Sequence, residues 1–139
     1  KFSWAPREEV RTVSEVYVHV VFTNIFLPMA LGAAPPEGLE MPEDMNPMAL
    51  MKQWEETVTA KDDVITRLNE SFAYAAKAVP TITDLETTVE TFGFPGSKRA
   101  YLLILLTHAH EHLGQSIAYA RSMGVVPPWS QQQAEGGGN

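Results

Sequence analysis

The segment that begins at Ser97 and stops at Gly124 constrains this chain more than any other feature. Serine is a residue type that caps a helix N-terminus, and glycine supplies the left-handed position that ends one. Pro127 and Pro128 follow just beyond, so the spacing predicts one helix of about 26 residues. A rod of that length, about 39 Å, is best covered by other helices of similar length. No stretch shows sustained period-two alternation bounded by hairpin turns, so periodicity favours helix throughout and an all-α fold.

The other elements follow from caps and stops. Thr12 with Glu15 three residues later is a capping-box pattern, opening a helix that runs to about Leu31, with Gly32 as its stop and Pro28 placed to kink its last turn. A proline- and glycine-rich loop is expected over 33–47, then a short helical piece over 48–56. Thr59 with Asp62 is expected to start the next long helix, in which Val64, Leu68, Phe72, Ala75 and Val79 recur at three- or four-residue spacing until Pro80 ends it. A second short helix is expected over 83–90, before the turn signals Gly93, Pro95 and Gly96. Residues 1–129 read as one domain without internal repeats, and 130–139 as a disordered tail.

Composition excludes several functions. The 139 residues are 45% hydrophobic, enough to bury a core, and carry a net charge of -7, which repels a polyanion and argues against nucleic-acid binding. No window holds the roughly 20 uninterrupted apolar residues of a membrane span, so a soluble protein without a membrane partner is expected. The absence of cysteine removes disulfides, thiolate ligands and a cysteine nucleophile together, and leaves the compartment open. Any metal must be held by nitrogen and oxygen. Lys1 is not a start methionine, and Phe2, Trp4 and Pro6 read as the middle of a connection, so further chain is expected to precede it; no signal peptide is visible in the residues given.

Chemistry concentrates on histidine. His108 and His112 are four apart on the last helix, hence separated by about 40° of rotation and roughly 6 Å of rise, which lets both rings aim at one point. Tyr101, Leu105, His108, His112, Gln115 and Tyr119 share one stripe, while His110 lies about 200° from His108 and is a poor ligand candidate. On the first helix, Val16, His19, Phe22, Thr23 and Phe26 form the matching stripe. Three imidazoles would leave a coordination position open, as catalytic sites do. The other reading is of core histidines satisfied by hydrogen bonds, and spacing leaves both open. Glu15, one turn before His19, either orients that ring or caps the helix, and capping is the preferred reading. His108, Ala109, His110, Glu111 and His112 do not fit the zinc-protease signature, which needs Glu directly after the first histidine and the second three places later. There is no glycine-rich phosphate loop or serine elbow, and Trp54 and Trp129 read as packing residues.

An early-helix histidine after Val16, Tyr17 and Val18, an apolar run into His108 and His112 followed by Leu113, Gly114 and Gln115, then Tyr119, Ala120, Arg121 and Gly124, form an ordered combination. It resembles the DinB-like superfamily of metal-binding four-helix bundles. Phe2, Ser3, Trp4 and Pro6, with Val10, Arg11, Thr12 and Val13, are similar to that family's connection into its second bundle helix, and the resemblance spans essentially 1–129. It implies that His19, His108 and His112 ligate a divalent metal, with water in the remaining positions, and imidazole suits Zn, Ni, Fe or Cu, of which Zn, Ni or Fe are expected. It also implies that the family's first helix falls before Lys1, leaving an apolar groove to be filled by that helix or by a partner chain.

For function, the resemblance implies a metal-dependent thiol S-transferase or isomerase acting on a low-molecular-weight thiol, with an electrophile entering beside Thr23, Gln115 and Tyr119. The alternative is a non-enzymatic, stress-associated metal-binding module. A cytoplasmic homodimer is expected in either case.

Overall fold

Residues 1–39 and 46–131 are described by a computed structural model of the chain. The first helix, α1 (Val13–Ala30), starts where Thr12 and Glu15 cap each other: the Glu15 amide donates to Thr12 Oγ1 (3.3 Å) and the Thr12 amide to Glu15 Oε2 (2.6 Å). The segment before it folds back, and the carbonyls of Trp4 and Phe2 accept from the amides of Val13 and Ser14 at 3.0 and 2.9 Å. These contacts satisfy donors that a helix start leaves free. The helix ends as expected, with Pro28 in its last turn and Gly32 at φ 102.

Nearly every face of α1 is covered. Val16, Val18, Phe22 and Leu27 are all at most 2% exposed, and the three later α-helices each pack against this one. A helix apolar all round is the core strut of a bundle, and burial of a side chain such as Leu27 contributes about 1.5–3 kcal/mol. Length and composition would also let α1 cross a bilayer, but 61% of it is buried inside the protein.

Asn46 caps α2 (Pro47–Thr57), accepting from the Met48 amide at 2.8 Å, with Pro47 in the first turn where its missing N–H costs nothing. Part of the loop expected over 33–47, residues 40–45, lies outside the described residues. The third helix, α3 (Lys61–Ala78), begins one residue later than its capping pattern suggests. Ala60 holds the cap position and makes no side-chain bond there, while Asp62 and Asp63 face the positive end of the helix dipole. The stripe is also rotated: Val64, Ser71, Ala75 and Ala78 are buried, whereas Phe72 is 47% exposed. On the buried face Val64, Ala75 and Ala78 are accompanied by a polar pair, buried Asn24 on α1 donating to Ser71 Oγ at 3.2 Å. A single 3-10 turn (Val79–Thr81) with Pro80 closes the element.

The short helix expected over 83–90 does not form. In its place stands an antiparallel hairpin, β1 (Thr88–Thr91) and β2 (Phe94–Ser97), with Thr91 paired to Phe94 and Thr88 to Ser97. The turn residues Phe92 and Gly93 have φ 55 and 80, as a two-residue hairpin turn of matching twist requires. Thr88, Val89 and Thr91 are β-branched and favour extended backbone, and Leu85 with Val89 is too little apolar surface to hold a helix. Tyr101, 4% exposed, anchors the hairpin: its hydroxyl sits between the carbonyls of Thr91 (3.0 Å) and Phe94. Gly96 allows this approach, since a Cβ there would lie 3.1 Å from the Tyr101 ring.

The last helix, α4 (Lys98–Ser122), matches its expected limits. Ser97 accepts from the Ala100 amide, and Gly124 at φ 74 turns the chain so that the Gly124 and Val125 amides reach the carbonyls of Arg121 and Ala120. Ser130 and Gln131, at the start of the expected tail, make a helical turn onto the Pro127 carbonyl; residues 132–139 lie outside the described residues.

Leu27 and Leu31 cluster with Tyr101 and Leu105 at one end of the bundle, and Val13 and Val16 with Tyr119 at the other. Helices α1 and α4 therefore run antiparallel, with their histidines between the two clusters. Beside them a groove opens between α3 and α4, floored by Tyr17 and Val20 and walled by Leu68, Phe72, Ala109 and Leu113.

Candidate metal centre

Between the two apolar clusters the three striped histidines meet. His108 Nε2 lies 2.9 Å from His19 Nε2 and 3.1 Å from His112 Nε2, so one atom of each ring is aimed at a common point. Donor atoms around a tetrahedral ion with bonds of 2.0–2.1 Å are separated by roughly 3.3 Å, close to what the rings present. The three residues form a group that could hold a metal ion. His110 is exposed and turned away, with Nδ1 bonded to the Leu106 carbonyl at 2.9 Å, as its helical phase predicts.

The outer nitrogens test whether this group suits a cation. His19 Nδ1 is 3.1 Å from Met51 Sδ and 3.3 Å from Glu55 Oε1, and His112 Nδ1 is 2.8 Å from Gln115 Oε1. Each of these partners is an acceptor, so Nδ1 carries the proton and Nε2 keeps its lone pair for a ligand. His108 Nδ1 is buried and has no hydrogen-bond partner among the described residues. Burial, and then the neighbouring His112, His19 and Arg11, push the His108 imidazole down to about 4, which keeps it neutral and able to ligate at pH 7. Neutral nitrogen donors with lone pairs turned inward fit a borderline divalent cation.

Behind the rings run two polar chains. Gln115 Nε2 donates to the Tyr119 hydroxyl at 3.1 Å, which in turn donates to the Arg11 carbonyl at 3.1 Å. On the other side, Arg11 Nε donates to Glu55 Oε1 at 2.9 Å. Burial alone would raise the Glu55 carboxyl, but contacts with His19 and Arg11 more than offset it and hold the group below the usual carboxylate range. Of the three residues expected beside the substrate, Gln115 and Tyr119 thus stand on the Nδ1 side of His112. Thr23 stands on the inner side, its hydroxyl donating to the His19 carbonyl (3.1 Å) and 3.5 Å from His108 Nε2. A cavity of about 150 Å³ opens on His112, lined by Tyr17, Val20, Leu68 and Leu113.

Glu15 is occupied by the capping box, and among the described residues the acidic neighbour of His19 is Glu55. Sequence reading missed Glu55, Met51 and Arg11. The available signal was the spacing of Met51 and Glu55, four apart and hence on one face of α2. Trp54 packs edge-on against Phe22 at 5.8 Å, in keeping with a packing role.

A helical bundle with a cluster of inward histidines on two antiparallel helices defines a class of metal-site scaffold. A family model described as the DinB superfamily matches residues 1–116. The chain belongs to that superfamily. The match includes all three histidines and Gln115, while Tyr119, Arg121 and Gly124 lie past it. No curated protein and no solved structure matches the chain.

Proposed function

We propose that the protein binds a divalent metal through His19, His108 and His112 and acts as a thiol S-transferase or isomerase on a low-molecular-weight thiol. The observation that carries this reading is the convergence of three imidazole nitrogens with no anionic ligand among them, in a chain without cysteine. A cation held by neutral donors keeps its Lewis acidity and would stabilise an incoming thiol as thiolate near neutral pH. The chain's own residues orient the donors and exclude water: Leu105 and Tyr101 pack on one side of the histidines and Val16 and Tyr119 on the other. The mostly apolar cavity at His112 gives an electrophile's carbon skeleton a place beside the site. In a transferase the net reaction forms one sulfur–carbon bond, breaks the bond to the leaving group, which departs with its electron pair, and releases the thiol proton to water; in an isomerase the thiol adds to the substrate and is eliminated again unchanged.

The test is titration of zinc-loaded protein with glutathione, cysteine and a bacillithiol-type thiol, following proton release and consumption of a generic electrophile. Proton uptake by buffer in step with binding, and turnover with one thiol, is the expected result. Silence with every thiol at full metal occupancy would overturn the transferase reading and favour a non-enzymatic metal-binding module.

A further inference from the structure

The helix α2 supplies no ligand, yet it brings a carboxylate into a mostly buried position against one. Glu55 has a side chain only 12% exposed; its Oε1 accepts from Arg11 Nε at 2.9 Å and lies 3.3 Å from His19 Nδ1. We propose that Glu55 is the positioning carboxylate of the metal centre, fixing His19 with Nε2 turned inward, and that Arg11 is the clamp that holds it there. The proposal rests on reading the three histidines as metal ligands.

Three observations carry it. His19 Nδ1 is 3.1 Å from Met51 Sδ and 3.3 Å from Glu55 Oε1; both are acceptors, and the carboxylate is the stronger and the charged one, so its presence favours the proton on Nδ1. Arg11 then joins both halves of the site. Its side chain fixes Glu55 behind His19, and its carbonyl accepts from Tyr119, which receives from Gln115 behind His112. One residue in the segment before α1 thereby ties ligands on α1 and α4. Finally, three imidazole donors leave the charge of a dication uncompensated in a half-buried place, and among the described residues Glu55 is the carboxylate in contact with a ligand. A metal-bound histidine backed by a carboxylate is more basic and better oriented than one backed by water.

The full chain is titrated with Co(II), whose visible bands report coordination geometry. Glu55→Ala is expected to weaken Co(II) binding by about 10- to 100-fold and to shift the bands. Glu55→Gln, which keeps an acceptor but not the charge, is expected to fall between, and Arg11→Gln to act in the same direction as Glu55→Ala. Glu86→Ala, which removes only an exposed pair with Arg99, should match the wild type. Nitrogen-15 spectra of the histidine rings give a second measurement: wild-type His19 should show its proton on Nδ1, and Glu55→Ala should lose that preference. Unchanged affinity, bands and tautomer in folded Glu55→Ala would overturn the proposal. Should that variant not fold, Glu55→Gln with wild-type affinity and bands would overturn it. Failure of the wild type itself to bind Co(II) would instead overturn the metal reading on which the proposal stands.

Discussion

His108 and His112 stand one turn apart on α4 with their Nε2 atoms 3.1 Å from each other, and the ring centroid of each lies 4.9 Å from that of His19. Removing either ring takes away one of three donors, so His112→Ala should weaken zinc binding by well over tenfold. His110→Ala should leave it unchanged, because that ring bonds the Leu106 carbonyl on the outer face. Chelator competition on both variants measures this. Equal losses would mean that the converged nitrogens are not the ligands.

Stability of the metal-free protein should depend on pH through His108. Its folded pKa of about 4 lies below the ordinary 6.5, so protonation favours the unfolded chain. The stabilisation is complete above pH 6.5 and is lost as pH falls toward 4. The lowered Glu55 carboxyl adds a loss of the same sign, beginning below its ordinary 4.5. Thermal melts between pH 7 and pH 4 should show Tm falling through this window, and His108→Leu should flatten the part above pH 4.5. A His108→Leu profile as steep as the wild type there would refute the assignment.

What was legible in the sequence is what caps and helical phase determine locally. Thr12, Glu15, Ser97 and Gly124 mark α1 and α4 nearly to the residue, and those two helices carry all three histidines, so their meeting followed from one stripe on each. The hairpin escaped because its strands are only four residues long and its signal, Gly93 after the β-branched Thr88, Val89 and Thr91, is equally a helix-to-helix turn. The phase of α3 was only partly legible because Val64 and Ala75 of the apolar stripe are buried with Ser71 and Ala78, and a serine that pairs with buried Asn24 gives no apolar signal. Glu55 escaped for a related reason: α2 lies far from the histidines in sequence, and only packing on α1 puts its carboxylate against His19.

The hairpin's dependence on Tyr101 can be measured directly. Tyr101→Phe keeps the buried ring but removes the hydroxyl that lies between the Thr91 and Phe94 carbonyls. Leaving those acceptors without it should cost about 1–2 kcal/mol in urea unfolding. Gly96→Ala presses a methyl group onto the same ring and should also destabilise. Metal affinity should not change in either variant, since the hairpin contributes no group to the histidine cluster. A stability equal to wild type in Tyr101→Phe would show that the carbonyls are already satisfied by solvent.

Gln115 separates an orienting role from a substrate-lining one. Its Oε1 accepts from His112 Nδ1 at 2.8 Å and its Nε2 donates to Tyr119 at 3.1 Å, so both ends of the amide are used inside the protein. Gln115→Leu preserves helix propensity and bulk while leaving His112 Nδ1–H without an acceptor. Zinc affinity should fall about tenfold, the lower end of what loss of a ligand's outer partner costs. Tyr119→Phe keeps the ring packed edge-on against Trp4 at 5.3 Å and leaves Gln115 bonded to His112, so it should have a smaller effect. If Gln115 served only to line a substrate cavity, Gln115→Leu would bind zinc as tightly as wild type and change only the apparent affinity for thiol or electrophile. Zinc competition and steady-state kinetics on the same preparation tell the two roles apart.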